Sequence, residues 1–514
     1  MTPVEPKAEG MAEGMARVME PGTRPGTRAG GNPGVEPAGT SAGVASAGSQ
    51  PGARRRILFL SEAITLAQIV RLVTLAGSLD PREYEIHFAA ASFPERIFRP
   101  GEFSRAELAT VPGPEALRRL DRGGRLYDLR TLRRYLAADR AIIAQVRPEL
   151  IVGDLRWSLA VSGPLEGVPC AVLANAYMSP QARRDGFPLP DHPIVRLLGE
   201  RLAARSFPRA LPRVFDWFAR PLNRLRGEQG LPPVGGLLEV LTFGDLTLYA
   251  DVPELIDMHP LPPSHVFLGP VDWSPDDPLP DGWAEDASRF PVYVTLGSSG
   301  DLRLLPKVLE GLRGLPVDVL VATAGRASDG LVARLGGASR ARSSTERAAG
   351  ARVRVVPFVS GARAAASARL VISNGGSTTG YQALAAACPV LGLPHNLEQH
   401  LAMVGILGAG AGRSISARHV RPELIRATVR EMLESSGPAE GARRVAGYFR
   451  RHQAARVFPG IVRRFLEHRA RPAGSTSSTS SGRDGAPGEA PRQQHAGEDH
   501  EAEGTEVVHD DVAP

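Results

Sequence analysis

ARLVISNGGSTTGYQALAAACPVLGLPHNLEQHL, residues Ala368–Leu401, reads as a strand, a double-glycine loop, a helix and a second strand. Leu370 to Ser373 is a short apolar run, broken by Asn374, Gly375 and Gly376. Ser377, Thr378 and Thr379 then place hydroxyls where a helix begins. Glycine lets backbone N–H groups approach an anion closely, and a helix N-terminus adds favourable partial charge. The loop is built like a phosphate cradle. Just past the second strand, Glu398 and Gln399 form a polar pair that can reach a group attached to that phosphate.

The stretch resembles the donor-sugar signature of the family 1 glycosyltransferases, above all the bacterial macrolide-type, UDP-glycosyltransferase-like members. Those carry a His-Gly-Gly-x-Gly-Thr-like loop and, further on, an acidic residue followed by Gln. Here the loop is Asn374, Gly375, Gly376, Ser377, Thr378, Thr379 and the pair is Glu398, Gln399. The resemblance implies that the loop holds a nucleoside diphosphate and the pair holds sugar hydroxyls. Asn374 departs from the usual His; an amide still donates to a phosphate oxygen but carries no charge. The resemblance is strongest from Pro291 to Gly412 and implies the GT-B fold, an α/β architecture of two Rossmann-like domains facing a cleft.

Composition is consistent with this. The 514 residues suffice for about two or three domains. Residues 1–53 are rich in Gly, Pro, Ala and Glu, and residues 471–514 in Ser, Gly and acids; neither has the apolar pattern needed to offset chain entropy. Both are expected to be disordered tails. The net charge is +6 and the pI about 9.7. Only Lys7 and Lys307 are lysines; the remaining basic residues are arginines scattered along the chain, as an Ala-, Gly- and Pro-rich bacterial sequence would have them. They read as solvated faces, so no nucleic-acid partner is expected. Cys170 and Cys388 each open an apolar run and read as small core residues. With no secretory pattern and no apolar run of spanning length, a cytoplasmic protein is expected.

Outward from the signature, strands and helices alternate. Ile57 to Leu60 is a buried-type strand; Ser61 to Ile64 is a loop into a helix; Tyr84 to Ser92 holds a second strand. Leu150 to Val152 is another, with Gly153 and Asp154 at its C-terminal end. Such βαβ grammar implies a parallel sheet. It restarts at FPVYVTLGSSGD, so two tandem Rossmann-like domains are expected: residues 54–270 for the acceptor, a Pro- and Asp-rich linker 271–287, and residues 288–470 for the nucleotide sugar. The segment Ala454 to His468 is a candidate to cross back to the first domain.

Several residues are candidates for the chemistry. A second loop, Gly297, Ser298, Ser299, Gly300, follows a strand directly, as its family counterpart does, and offers hydroxyls and N–H groups to phosphate; a plain tight turn is the alternative. By resemblance, backbone groups of Val359 meet the base edges, and Phe358 either packs near the base or fills core. Family members usually carry a catalytic His near the first βα loop. This chain has Gln68 there, which has no useful basicity. Two carboxylates remain as candidate general bases: Glu62 in the loop, and Asp154, which resembles the acidic residue that orients the family's His. His87 reads as a strand residue. His395 and His400 flank the Glu398–Gln399 pair without metal-site spacing, and the resemblance implies neither metal nor cofactor. The amphipathic stretch between Ile194 and Leu241, with Phe215, Trp217 and Phe218, stands open between a core stripe, an apolar acceptor wall and a peripheral membrane contact.

The expected activity is that of an inverting glycosyltransferase. It would move a hexose or deoxyhexose from a UDP- or dTDP-sugar to a hydroxyl of a small, largely apolar acceptor. A GT-B-fold nucleotide-sugar epimerase and a non-catalytic nucleotide-sugar-binding homologue are the alternatives.

Overall fold

The computed structural model describes residues 54–327, 330 and 351–470, apart from 192–194 and 196–198. The expected tails, 1–53 and 471–514, lie outside the described residues. Seven strands form the first sheet: β1 (Arg55–Ser61), β2 (Tyr84–Ala90), β3 (Ser104–Glu107), β4 (Leu150–Asp154), β5 (Cys170–Ala174), β6 (Leu246–Tyr249) and β7 (His265–Phe267). Their order is β3-β2-β1-β4-β5-β6-β7, every pair parallel. The second sheet has β8 (Phe290–Thr295), β9 (Val317–Ala322), β10 (Arg352–Val356), β11 (Leu370–Ser373), β12 (Val390–Gly392) and β13 (Gly412–Ser414). Its order, β10-β9-β8-β11-β12-β13, repeats that of the first six strands of the first sheet.

In both sheets the order reverses direction beside the first strand. These switch points lie between β1 and β4, where Ser61 pairs with Asp154, and between β8 and β11, where Thr295 pairs with Ser373. Loops leaving such points diverge and leave a crevice at the carboxyl ends of the strands. The candidate loops after Asp154, Thr295 and Ser373 all start there.

The central strands behave as their apolar runs require: Ile57, Leu58, Phe59 and Leu60 are fully buried between β2 and β4. Sequence reading missed β3, β6, β7 and β13. Strand β3 is the polar segment SRAE on a mostly exposed edge, and β13 is only Gly-Arg-Ser. Both are strands because a neighbour offers them a ladder, which no local preference encodes. The helices that matter for the site are α1 (Leu66–Ala76), α2 (Leu129–Val146), α3 (Glu200–Glu228), α4 (Ser377–Ala385), α5 (Leu397–Gly408) and α6 (Ala454–Ala470).

One boundary is corrected. Residues 288–470 do not all belong with the second sheet. Helix α6 inserts Phe458, Ile461, Val462 and Leu466 into the apolar core of the first, beside Ile57, Phe59 and Phe88. Phe458 is fully buried, edge-on to Phe59 with ring centroids 6.4 Å apart. Where the chain crosses, His452 presses against Gly269, which has φ +91°; a Cβ there would collide with the His452 carbonyl. A second apolar cluster is shared between the halves, joining Tyr177, Tyr249 and Ile256 to Tyr293, Met403 and Phe449. Polar ties run alongside: the Asp191 amide donates to the His395 carbonyl at 2.7 Å, and Glu200 meets Arg418 at 2.8 Å and His419 at 2.7 Å.

Candidate active site

Between the two switch points lies a cavity of about 2490 Å³. Its second-sheet wall is made of loops. Gly297, with φ +58°, turns the first of them away from β8, and the Arg326 guanidinium donates to the Gly297 carbonyl at 2.9 Å. The side chain of Asn374 joins the two loops: its Nδ2 donates to Ser299 Oγ at 3.1 Å while its Oδ1 accepts from the Gly376 amide at 3.2 Å. A neutral amide therefore serves here as a bridge, using both of its functions. Gly375, at φ +78°, reverses the chain, and its amide donates to Ser373 Oγ at 3.1 Å. Helix α4 follows with Gly376 as its N-cap, so Ser377, Thr378 and Thr379 stand on the cavity wall at its first turn. Asn374, Gly376, Ser298, Ser299 and Val359 line the same cavity; Gly375 shapes the loop from behind. Phe358 is on the wall as well, beneath the Arg96 guanidinium at 4.7 Å from its ring centroid, and Arg96 pairs with Asp277 of the linker.

The polar pair divides. Glu398 faces the cavity, and its Oε1 accepts a hydrogen bond of 2.6 Å from Tyr177 Oη, which comes from the first domain. Burial pushes the Glu398 carboxyl above its ordinary range. Gln399 does not line the cavity. It is 1% exposed; its Oε1 accepts from the His395 amide at 3.1 Å and its Nε2 lies 3.5 Å from Ser299 Oγ. The expectation that Gln399 touches the sugar is corrected on geometry. Asn396 caps α5 by accepting from the Gln399 amide at 2.9 Å, and that turn rotates Gln399 inward as it rotates Glu398 outward. His400 also points away from the cavity, and burial holds it neutral, with its pKa down to about 4.

On the first-sheet side the two candidate bases separate. Asp154, 2% exposed, stands at the end of β4 on the cavity wall. Arg71 of α1 grips it with two hydrogen bonds, Nε to Oδ2 at 3.0 Å and Nη2 to Oδ1 at 2.9 Å. Burial raises the Asp154 carboxyl to about 6, against the pull of Arg71. Glu62 is fully buried and lies off the cavity wall. Arg156 Nη1 donates to it at 2.6 Å and Tyr135 Oη at 3.2 Å, while Arg156 also binds Asp139 at 2.8 Å. One guanidinium thus serves two carboxylates. Burial of that surplus negative charge pushes Glu62 up to about 7. The expectation that Glu62 faces the acceptor is corrected: the loop turns its side chain beneath the wall toward Arg156. Gln68 does line the cavity, but its Oε1 accepts from both the amide and hydroxyl of Thr65 at 2.8 Å, closing the N-terminus of α1. His87 is half-buried in β2, 3.1 Å from Glu85.

Sequence reading missed the polar network that joins the two halves. Arg71 Nη1 donates to Asn175 Oδ1 at 2.8 Å, Asn175 Nδ2 lies 3.3 Å from both Asp251 oxygens, and Tyr381 Oη of α4 donates to Asp251 at 2.5 Å. The signals were present. Arg71 is the only charged residue in a largely apolar helix, LAQIVRLVTLA. Asn175 and Asp251 each come directly after the run that ends a strand, the place where open α/β sheets put ligand-facing residues.

Much of the remaining first-domain wall is apolar. Ile64, Leu117, Trp157, Phe207, Phe215 and Phe218 line a gallery leading away from Asp154. The stretch left open in the sequence is mainly α3, a single helix despite Pro208, Pro212 and Pro221, and it both packs into the core and lines the cavity. Leu211 and Phe215 are buried, and they also face the gallery. Cys170 and Cys388 are buried free thiols, and burial pushes Cys388 up to about 12.

No protein-family model matches the chain. It is 43% identical over 407 residues to a PGL/p-HBAD biosynthesis glycosyltransferase of Mycobacterium tuberculosis, covering 79% of this chain and 91% of the relative. It is 40% identical over 415 residues to a PGL/p-HBAD biosynthesis rhamnosyltransferase of Mycobacterium bovis, covering 80% and 88%. An inactive PGL/p-HBAD biosynthesis glycosyltransferase of Mycobacterium bovis is 47% identical over 270 residues, covering 52% and 74%. Among solved structures, the calicheamicin glycosyltransferase CalG4 superposes with a TM-score of 0.56 at 17% identity, over 81% of this chain and all of the other, which establishes the GT-B fold. The two-sheet architecture, the loops around its cleft and the extent of these matches lead to one conclusion: the chain belongs to the glycosyltransferase family that includes the mycobacterial PGL/p-HBAD biosynthesis enzymes, and it is a glycosyltransferase of GT-B fold.

Proposed function

We propose that this enzyme transfers a hexose or deoxyhexose from a UDP- or dTDP-sugar, with inversion, to a hydroxyl of a small, largely apolar acceptor, and that it works in the cytoplasm. The observation that carries this reading is the composition of one cavity. A pair of loops offering backbone amides and hydroxyls forms one end, an apolar gallery the other, and the Asp154 carboxylate stands at the first switch point on the same wall system. A rhamnosyltransferase among the relatives favours a deoxyhexose.

In this reading the diphosphate rests on the amides and hydroxyls of the Ser298–Ser299 and Gly376–Thr378 segments, helped by the N-terminus of α4. Glu398 accepts from a sugar hydroxyl, and Val359 flanks the base. The acceptor hydroxyl gives its proton to Asp154 as its oxygen bonds to the anomeric carbon. The bond from that carbon to the diphosphate oxygen breaks, and the nucleoside diphosphate leaves with the electron pair. Attack from the opposite face inverts the centre. Asp154 must be ionised to accept a proton, and its pKa of about 6 makes the base form dominant at neutral pH. The step needs no cofactor.

One observation favours a second reading, a homologue that binds nucleotide sugar without turnover. No histidine of the first domain lines the cavity among the described residues, and the Gln68 amide is engaged in a helix cap. Product analysis distinguishes these readings. With UDP- and dTDP-sugars and aryl or alkyl alcohols of graded chain length, we expect glycoside of inverted anomeric configuration by NMR. kcat/KM should rise up to about fourfold per added methylene, from ~0.8 kcal/mol of burial each. Donor isomerised without acceptor would instead make it an epimerase, and binding in calorimetry without turnover would make it a non-catalytic homologue.

A further inference from the structure

Helix α3 carries Arg201, Arg205, Arg209 and Arg213. A spacing of four sets them on one face, one above the next, and all four are exposed. No acidic residue occurs between Glu200 and Asp216. Among the described residues, none of the four arginines is paired with a carboxylate; Arg209 donates to the Arg205 carbonyl instead. Like charges four apart weaken a helix, so this row stands without local compensation.

Apolar side chains stand out of the same surface. Leu202 is 55% exposed, Val214 37% and Trp217 36%. Val214 and Trp217 line the cavity at the same time, which places them at the mouth of the apolar gallery. The opposite lip is the helix Gly113–Asp121 and the turn after it. There Leu120 is 38% exposed and also lines the cavity, with exposed Arg118 and Arg122 on either side. Arg125 closes the two lips together, its guanidinium 4.1 Å from the Trp217 ring centroid.

We propose that this mouth docks on an anionic lipid bilayer, arginines against the headgroups and Leu202, Val214, Trp217 and Leu120 below them. Phosphate-bearing headgroups satisfy the arginines and the acyl boundary satisfies the apolar side chains between them; a nucleic acid or an acidic protein surface satisfies only the first. None of the described helices is long and apolar enough to cross a membrane, so α3 lies on the surface. Docked this way, the gallery opens directly into lipid, and an acceptor can pass from bilayer to Asp154 without crossing water. That last step rests on the acceptor reading proposed above; the docking itself does not.

The test is co-sedimentation of the full chain with vesicles of phosphatidylcholine alone and of equal parts phosphatidylcholine and phosphatidylglycerol. Binding is expected to the anionic vesicles only and to weaken as salt rises. The triple variant Arg201→Glu, Arg205→Glu, Arg209→Glu should lose binding by about a hundredfold or more, from roughly fivefold per arginine. These three side chains do not line the cavity. Melting temperature and turnover on a water-soluble acceptor should therefore stay within a few-fold of the parent, which separates lost docking from lost folding. Trp217→Ser should weaken vesicle binding without changing its salt dependence. The proposal is overturned if the parent chain ignores anionic vesicles, if the triple variant binds as well as the parent, or if the chain shifts duplex DNA while leaving vesicles untouched. Vesicle binding by a chain that transfers no sugar would uphold the docking and remove only the acceptor reading.

Discussion

The two sheets carry their first six strands in the same order, yet their switch points are furnished differently. At the second, β8 and β11 end in Gly297–Gly300 and Asn374–Thr379, where small residues expose backbone amides and hydroxyls and a single Asn374 side chain ties the loops. At the first, β1 and β4 end in Glu62 and Asp154, two carboxylates each held by an arginine. A diphosphate is an invariant, highly charged group that a backbone cradle can hold. The first-sheet side of the cleft is made instead of side chains from many elements: Asp154 held at the wall by Arg71, and beside it a gallery that is largely apolar. The contrast also sorts the two carboxylates. Both Arg71 and Arg156 reach the cleft wall, but Arg71 grips Asp154 at the wall, whereas Arg156 binds a Glu62 whose side chain lies off it.

The sharpest way to break this contrast is to remove the charge at Asp154. Asp154→Asn should cut turnover by roughly 10²–10⁴-fold with donor affinity unchanged in calorimetry. The parent's kcat/KM should fall as pH drops through about 6, because only the ionised carboxylate accepts the proton. Arg71→Gln removes the one cation that opposes burial at Asp154, so that acid limb should move upward, with Arg71→Lys restoring part of it. A variant that loses activity with an unmoved limb would reduce Arg71 to a packing role.

On the donor side the expected effects are smaller and separable. Glu398→Gln should lower transfer by about tenfold or more, the worth of a hydrogen bond to a charged acceptor, while nucleoside diphosphate affinity stays. Gln399→Ala should behave differently. Its side chain supports the Ser299 loop and the His395 amide, so nucleotide affinity and transfer should fall together. Unchanged nucleotide affinity in Gln399→Ala would return that residue to the sugar.

The smallest effect is expected at Glu62. Glu62→Gln keeps partners for Tyr135 and Arg156 and should leave turnover within a few-fold. Its signature is in stability. A carboxyl raised to about 7 in the folded chain contributes stability that is present below its unfolded value of 4.5 and is lost as pH rises through 7. The variant should flatten the fall of melting temperature across that window. A large loss of turnover with melting unchanged would make Glu62 catalytic after all.

Much of this site was legible before any coordinates. The Asn374 loop, the Ser298–Ser299 loop and Asp154 all lie where a strand's apolar run stops, and a parallel sheet sends such residues to one edge. The departures came where orientation depends on distant partners. Glu62 and Asp154 look equivalent as strand-end carboxylates, and nothing local says that Arg156 lies behind one and Arg71 beside the other. Glu398 and Gln399 are adjacent, so which faces the cleft depends on how Asn396 starts α5.

The two parallel sheets, the glycine loops and the division into a polar half and a partly apolar one follow from local sequence, because strand burial, turn chemistry and helix starts are written in short stretches. The crossing of α6 to the first core was open in the sequence as a candidate; only the folded chain shows that Tyr177 reaches across to Glu398, and that Arg71, Asn175, Asp251 and Tyr381 make one network. Those contacts join residues far apart in the chain. Whether a buried charge finds its partner is settled only when the whole backbone has brought the two together.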